Sequence, residues 1–168
     1  MTINLLLVLY LMIPAYLANM APAFFGKRLF KLPMDFGLSF GKTRIFGDNK
    51  TWAGFFSGIV VAILVGFVLS KIYWPFEFSA VYWSALVGLG AVVGDVVKSF
   101  FKRRVNIKPG RPWIPFDQVD FTVGALSFGS FVFFPGWLYS LLVVVISAFG
   151  HILINHVGYF LGVQKNKW

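Results

Sequence analysis

Most of the chain consists of apolar runs about as long as a helix that crosses a lipid bilayer. A hydrocarbon core about 30 Å thick takes roughly 20 helical residues, and runs of this kind occupy residues 3–20, 52–70, 79–97 and 137–161. A shorter run, residues 121–134, reaches spanning length if the polar residues 115–120 form its first turns. The pattern predicts an all-α integral membrane protein with about five transmembrane helices.

Glycine and proline positions within these runs predict how the helices pack and bend. Gly54 and Gly58 stand four residues apart, as do Gly90 and Gly94, and this spacing lets helix backbones approach closely in lipid. We expect both pairs to contact other helices of the same chain. Pro14 lies inside the first run, where the loss of a backbone hydrogen bond predicts a kink.

Composition agrees with a membrane protein. Of the 168 residues, 58% are hydrophobic and 12% are charged, whereas soluble domains carry about 25% charged residues. Mean hydropathy is +0.78. Cysteine is absent, which excludes a disulfide framework, a thiolate nucleophile and a Cys-ligated metal. No repeat, low-complexity segment or linker divides the sequence, so we expect one transmembrane domain over residues 1–168.

Basic residues concentrate in the two long loops after the first and third spans. They are Lys27, Arg28, Lys31, Lys42, Arg44 and Lys50 in the first loop, and Lys98, Lys102, Arg103, Arg104, Lys108 and Arg111 in the second. Lys165 and Lys167 follow the last span, and Lys71 alone falls on the opposite side. Because Lys and Arg in short loops stay on the cytoplasmic side, we expect a multi-pass protein of the cell membrane with both basic loops in the cytoplasm.

Some of these cations suit the membrane surface itself. Lys27, Arg28 and Lys31 directly follow the first span, where cations attract anionic lipid headgroups. We therefore expect the lipid bilayer as a partner and no nucleic acid. The oligomeric state is left open by the sequence.

Acidic residues are few, and three of them fall where the spans meet the second basic loop. Asp95, Lys98, Ser99, Lys102 and Arg103 stand at i, i+3, i+4, i+7 and i+8, which places them on one helix face. Asp117 and Asp120 are three residues apart near the start of the fourth span. Carboxylate oxygens suit Mg²⁺, so we expect Asp95, Asp117 and Asp120 to hold this metal. The alternative is that they only neutralise basic neighbours.

Cations interleaved with these acids are typical of a site for a metal-bound triphosphate, since acids hold metal and bases hold phosphate. These cations are Lys98, Lys102, Arg103, Lys108 and Arg111. The turn before the second span adds Asn49, Lys50 and Thr51 as candidate nucleotide contacts. The same turn is also a helix N-cap signal that needs no ligand.

Polar residues also occur in the last span. His151 and Asn155 share one helix face, whereas His156 points elsewhere. Carboxylates are not close to them in the sequence, so we favour a hydrogen bond between helices over a metal site.

These motifs together resemble the CTP-dependent phosphatidate cytidylyltransferases. Gly94-Asp95, Lys98-Ser99, Lys102-Arg103, Lys108 and Asp117-Gln118-Val119-Asp120 are similar to the C-terminal signature of that family, and residues 50–54 are similar to its second block. Pro109 stands where an Asp is usual, Gln118 replaces an Arg, and a His-Gly-Gly element is missing. The short length and Lys108-Pro109-Gly110 resemble instead the archaeal branch, the CDP-archaeol synthases.

The resemblance implies a reaction and assigns roles to residues. CTP and an isoprenoid ether-lipid phosphate, 2,3-di-O-geranylgeranylglyceryl phosphate, would give CDP-archaeol and pyrophosphate, with Mg²⁺ as cofactor. The expected catalytic residues are Asp95, Asp117, Asp120, Lys102 and Arg103, and the expected CTP-binding residues are Asn49, Lys50, Thr51, Lys98, Ser99, Lys108 and Arg111. Alternatives are a CDP-diacylglycerol synthase acting on phosphatidate and, from another class, a small membrane transporter.

Overall fold

The structure is a computed structural model that describes residues 3–26 and 29–160. The helices are α1 (Leu5–Leu11), α2 (Ile13–Phe25), α3 (Trp52–Ile72), α4 (Ala80–Arg104), α5 (Phe116–Gly129) and α6 (Trp137–Phe160). Between α2 and α3 lies a hairpin of two-residue strands, β1 (Ser39–Phe40) and β2 (Thr43–Arg44), in which Ser39 pairs with Arg44. The predicted all-α class is confirmed. Lys27, Arg28, Lys165 and Lys167 lie outside the described residues.

Four helical segments of the described chain are long and apolar enough to cross a membrane. They are Leu5–Phe25, Trp52–Ile72, Ala80–Arg104 and Trp137–Val157, close to the four apolar runs. α5 is shorter than the predicted fourth span, because it ends at Gly129 after 14 residues. At 1.5 Å per residue it is about 21 Å long. Its first residue, Phe116, agrees with the prediction that the polar residues after Pro115 begin this helix.

The first span is interrupted beside Pro14, as predicted. α1 ends at Leu11, and α2 begins at Ile13 with Pro14 in its first turn. A proline in this position donates no hydrogen bond to the preceding turn. The indole N–H of Trp83 on α4 donates to the carbonyl of Leu11 at this break, at 2.8 Å. This bond satisfies a backbone oxygen that lipid could not satisfy.

Glycines bring the helix backbones together. Side-chain atoms added at Gly90 and Gly94 of α4 would overlap the backbone of α5 at Gly124 and Asp120. A Cβ added at Gly58 of α3 would lie 2.9 Å from the carbonyl oxygen of Ala18 on α2. Both predicted glycine pairs therefore contact other helices of the same chain. The α4–α5 contact is the one that builds the candidate site.

The helices run between two unlike ends. At one end, which we call the basic end, lie residues 29–50 and 105–115, including the hairpin. At the other, the aromatic end, lie residues 73–79 and 130–136, where Phe78 stacks on Phe133 with ring centroids 5.8 Å apart. Gly129 at the end of α5 lies against Trp83 near the start of α4. α5 therefore begins inside the bundle and ends at the aromatic end.

Candidate active site

α4 and α5 place three carboxylates around one lysine. The Nζ of Lys98 lies 3.1 Å from Asp95 Oδ1, 2.8 Å from Asp117 Oδ1 and 2.9 Å from Asp120 Oδ2. One turn further along α4, Lys102 Nζ donates to Asp117 Oδ2 at 2.7 Å. The close approach of the two helices at Gly94 and Asp120 allows this geometry. We call Asp95, Lys98, Lys102, Asp117 and Asp120 the charged cluster.

The turn before α3 reaches the charged cluster through Lys50. Its ammonium group pairs with Asp95 Oδ2, while Lys98 pairs with the other oxygen of the same carboxylate. Three carboxylates thus face three ammonium groups. Buried charges of this kind are tolerated only when they are paired. The charges balance before any ligand arrives, and each lysine can exchange its carboxylate for a phosphate.

A cavity of about 210 Å³ opens beside the charged cluster. Its lining adds Asn19 from α2, Gly110, Arg111 and Pro112 from the loop before α5, and His151 and Asn155 from α6. Pockets that enclose a small-molecule ligand measure about 300–1,000 Å³. This cavity of about 210 Å³ is smaller than such a pocket.

A second, smaller cavity lies on the other side of Asp95. It is lined by Asn49, Lys50 and Thr51 together with residues of α2, α3 and α4. Asp95 and Lys50 therefore separate two spaces, one beside α5 and α6 and one beside the turn that precedes α3.

The donor set of the charged cluster fits Mg²⁺ chemically. No group of three or more His, Cys, Asp or Glu side chains in the described chain is arranged to hold a metal as the side chains stand, because lysine ammonium groups lie among the carboxylates. The three carboxylates nevertheless already share one cation, Lys98. Hard oxygen ligands of this type are those that Mg²⁺ prefers, so the donor chemistry of the three carboxylates suits this metal.

Comparison with known proteins identifies the family. A family model described as CarS-like, CDP-archaeol synthase, matches residues 1–168. The chain belongs to the CDP-archaeol synthase family. Relatives named CDP-archaeol synthase include those of Thermofilum pendens, 40% identical over 93% of this chain and 78% of the relative, and Methanoculleus marisnigri, 36% identical over 94% and 100%.

A solved structure agrees with this family assignment. It is described as an intramembrane enzyme for archaeal membrane lipids biosynthesis, and it matches with a TM-score of 0.75 and 30% sequence identity. The match covers 90% of this chain and 94% of the other. The resemblance drawn from the sequence motifs is therefore confirmed at the level of the family and of the fold.

Within this CDP-archaeol synthase fold, six predicted site residues meet around the charged cluster. They are Lys50, Asp95, Lys98, Lys102, Asp117 and Asp120, and Arg111 joins them in the cavity lining. Asn49 lines the second cavity. Their assignment to catalysis, CTP and metal stays a prediction.

The other predicted residues are placed differently. The Ser99 hydroxyl donates to the carbonyl of Asp95 at 2.8 Å within α4. Thr51 caps α3 by accepting from Gly54 N, and its hydroxyl donates to Gly26 O at 2.8 Å. The helix-capping alternative therefore describes Thr51, although it also lines the second cavity.

Two cations also lie apart from the charged cluster. Arg103 is buried against the turn at Gly47, and its Nε has no hydrogen-bond partner among the described residues. Lys108 is exposed on the loop after α4. The structure does not bring either of them into the cavity lining.

The sequence motifs missed one wall of the site. Asn19, His151 and Asn155 line the cavity, yet α2 and α6 lie outside the signature. Asn155 and His151 share a hydrogen bond of 3.3 Å within α6, so the bond predicted between helices is instead within one helix. The carboxylates thought too distant from His151 in sequence are near it in space. The four-residue spacing of polar residues in an otherwise apolar span was the available signal.

The hairpin at the basic end is held by a buried acid outside the charged cluster. Asp35 accepts hydrogen bonds from Arg44 and from the backbone N–H groups of Gly37, Phe46 and Gly47. Burial alone would raise the pKa of Asp35, but these donors outweigh it and hold the pKa below its usual range. Through Gly47, this acid fixes the start of the turn that carries Asn49 and Lys50.

Proposed function

We propose that this chain transfers the cytidylyl group of CTP to 2,3-di-O-geranylgeranylglyceryl phosphate, which gives CDP-archaeol and pyrophosphate. Membership of the CDP-archaeol synthase family supports the reaction. The observation that carries the site assignment is the convergence of Asp95, Asp117 and Asp120 on Lys98. In such a neutral cluster, the acids can bind a metal ion while the lysines bind a triphosphate, so that no charge is left unpaired.

The basic side chains have a role in each part of the reaction. When CTP enters, Lys98 and Lys102 exchange their carboxylate partners for triphosphate oxygens. Arg111, which lines the cavity, binds the triphosphate as well. Asp95, Asp117 and Asp120 would hold Mg²⁺, which supplies charge neutralisation on the phosphates. An oxygen of the lipid phosphate bonds to the α-phosphorus, the bond from that phosphorus to the bridging oxygen breaks, and its electrons leave on pyrophosphate.

No protein nucleophile or general base is required for this step. A phosphate monoester has its second pKa near 6, so the acceptor oxygen is already anionic at neutral pH. The developing charge lies on the leaving pyrophosphate, which the lysines and Arg111 stabilise. We therefore assign the charged cluster to positioning and electrostatic stabilisation.

The depth of the charged cluster suits a lipid acceptor. Asp95 is fifteen residues from the first residue of α4, Ala80, which is about 22 Å along a helix. A hydrocarbon core about 30 Å thick that begins near Ala80 extends beyond Asp95. The cluster thus lies below the level of the membrane surface at the basic end, where a lipid phosphate group can reach it without leaving the bilayer.

A turnover assay tests the proposal directly. Purified protein in detergent should release pyrophosphate when it is given CTP, Mg²⁺ and the ether-lipid phosphate, and we expect less release with phosphatidate. Asp95→Asn, Asp117→Asn and Asp120→Asn should each lower turnover by more than about a hundredfold. Each substitution removes one negatively charged ligand of the proposed Mg²⁺, and with it part of the stabilisation of the transition state by the metal. Glu77→Gln, at the aromatic end, is the matched control and should turn over normally.

Two outcomes would contradict the proposal. Near-normal turnover in any two of the three Asp variants, with folded protein, would show that these acids only balance charge. Absence of pyrophosphate release from the wild-type protein with both lipids would favour the transporter alternative, which flux measurements in vesicles would then test.

A further inference from the structure

Residues at every fourth position of α6 form an inclined stripe along the helix, and each of them makes a contact that the structure shows. Tyr139 donates to the carbonyl of Ile3 at 3.4 Å, and Val143 is buried in the core. Ser147 shares a hydrogen bond of 2.8 Å with the hydroxyl of Tyr16 on α2. His151 and Asn155 continue this stripe and line the cavity, and the His151 ring also packs against Phe121 of α5, with ring centroids 6.2 Å apart. One turn beyond Ser147, the residues of the stripe therefore begin to line the cavity.

α2 shows the same change on the facing side. Tyr16 makes the bond to Ser147, and Asn19, one turn nearer the basic end, lines the same cavity as His151. The structure gives the Asn19 amide no hydrogen-bond partner within the described chain. The Tyr16–Ser147 bond thus joins α2 and α6 about one turn from the part of the cavity that Asn19, His151 and Asn155 line. We call this part of the cavity the α2–α6 cleft.

The chemistry of the α2–α6 cleft differs from that of the charged cluster. Its walls offer two amides and an imidazole, whereas the cluster offers lysines and carboxylates. Asn155 is 8% exposed and therefore nearly enclosed, and a buried amide needs partners to be stable. On the outer sides of the same helices, Leu17, Met20 and Leu153 are exposed in the structure and so face lipid. Polar cavity walls and exposed apolar side chains thus occur on the same two helices.

We propose that the α2–α6 cleft binds the acceptor lipid, with Asn19, His151 and Asn155 contacting its phosphate and glycerol oxygens while its chains leave between α2 and α6. The proposal rests on the function proposed above. A phosphate monoester joined to an apolar body matches both features of the cleft. In this position the acceptor phosphate lies beside the charged cluster, on the side away from the turn that carries Asn49 and Lys50.

Separate measurements of lipid and nucleotide affinity test this assignment. Asn19→Ala, His151→Ala and Asn155→Ala should each raise the KM for the lipid phosphate about tenfold, as expected when a hydrogen bond to a charged group is lost. The dissociation constant for CTP, measured by calorimetry without lipid, should stay within about twofold of the wild-type value. His156→Ala, on another face of α6, is the matched control and should change neither quantity.

Asn155→Asp separates a binding role from a purely structural one. The Asn155 amide N–H faces His151 Nδ1, and an aspartate can instead accept a hydrogen bond from Nδ1–H in the other ring tautomer, so it should restore normal kinetics if Asn155 only positions that ring. If Asn155 faces the acceptor phosphate, the added negative charge should raise the lipid KM further than alanine does. Glycerol phosphate, which lacks the chains, should compete with the lipid weakly if the cleft also binds the apolar body, and about equally if it binds phosphate alone.

The results that would overturn the assignment differ from those that would overturn the reaction. Equal loss of CTP affinity in the three alanine variants would place the cleft in the nucleotide site, and unchanged lipid KM would make it a structural wall. Both results require an active wild-type protein. An inactive wild-type protein would instead contradict the proposed function.

Discussion

Lys98 is the residue on which the charged cluster depends. Its side chain is 14% exposed and its ammonium group pairs with all three carboxylates. Removing one partner of a buried ionic group leaves uncompensated charge and costs about 3–5 kcal/mol. We expect Lys98→Met to lower the free energy of unfolding by about that amount in the absence of divalent metal.

The same variant reports metal binding without any turnover. Once Lys98 no longer competes for the carboxylates, Mg²⁺ should bind them more tightly and stabilise the folded state by mass action. Thermal unfolding in detergent should show that millimolar Mg²⁺ restores much of the stability lost in Lys98→Met. Lys71→Met, at the aromatic end, should show no such dependence, and a similar lack of rescue in Lys98→Met would argue against a metal site.

Asp35 affects stability through the hairpin, outside the charged cluster. Its carboxylate is buried and accepts from Arg44 and three backbone groups, so Asp35→Asn should cost on the order of 3 kcal/mol. Because its folded-state pKa lies below the usual value, the stabilisation is complete above the usual pKa near 4. It is lost only as the pH falls through the lower folded-state pKa.

Thermal unfolding across pH measures this contribution. The difference in stability between the wild-type protein and Asp35→Asn should be constant from about pH 5 to 8 and should shrink in stronger acid. Asp48→Asn is the matched control, since Asp48 also pairs with Arg44 but its side chain is 76% exposed. If Asp48→Asn lowered the free energy of unfolding as much as Asp35→Asn does, burial of the Asp35 carboxylate would not explain its contribution to stability.

Among the helices, the contact between α4 and α5 decides the geometry of the site. A Cβ on Gly124 would overlap the carbonyl oxygen of Gly90, so Gly124→Ala must push the two helices apart. This movement separates Asp117 and Asp120 from Lys98. We expect turnover to fall at least tenfold and the unfolding temperature to drop by several degrees.

Gly150→Ala is the control for this substitution. Gly150 lies in α6, and a Cβ added there meets nothing within 4 Å, so alanine should be neutral or slightly stabilising because it is the better helix former. Equal effects of Gly124→Ala and Gly150→Ala would mean that close packing of α4 on α5 is unimportant.

The length of α5 shows where an apolar pattern misleads. Residues 130–134 are as apolar as a span, but the helix ends at Gly129. The N–H groups of Val132 and Phe133 both turn back to the carbonyl of Gly129, at 2.9 Å. Phe133 of this segment packs at the aromatic end, where it stacks on Phe78. Tertiary packing of aromatic side chains therefore replaces the last turns of the predicted span.

For the whole molecule, the two ends predict an orientation. Lys and Arg of the described loops gather at the basic end, so that end should face the cytoplasm. Because the chain has no cysteine, a single introduced thiol can report its own side. Glu77→Cys should react with an impermeant reagent in intact cells, and Lys42→Cys should react only after the membrane is opened. Both positions are exposed.

The opposite labelling pattern would remove the basis for CTP binding at the charged cluster, because cytoplasmic CTP could not reach it. Labelling at both positions in intact cells would indicate a mixed orientation. In either case the fold would stand, and only its placement in the membrane would need revision.

The four long spans, the break at Pro14, the close contacts of the glycine pairs and the family could all be predicted from the amino-acid sequence. These features depend on hydrophobic length, residue spacing and local backbone chemistry, all of which are properties of neighbouring residues. The pairing of Lys50 with Asp95 and the cavity that Asn19 and His151 share emerge only in three dimensions, because these residues are far apart in the chain and no local pattern specifies which distant partner a side chain will meet. The burial of Asp35 beside Arg44, nine residues away, and the end of α5 at Gly129 depend on how the hairpin and the aromatic end pack.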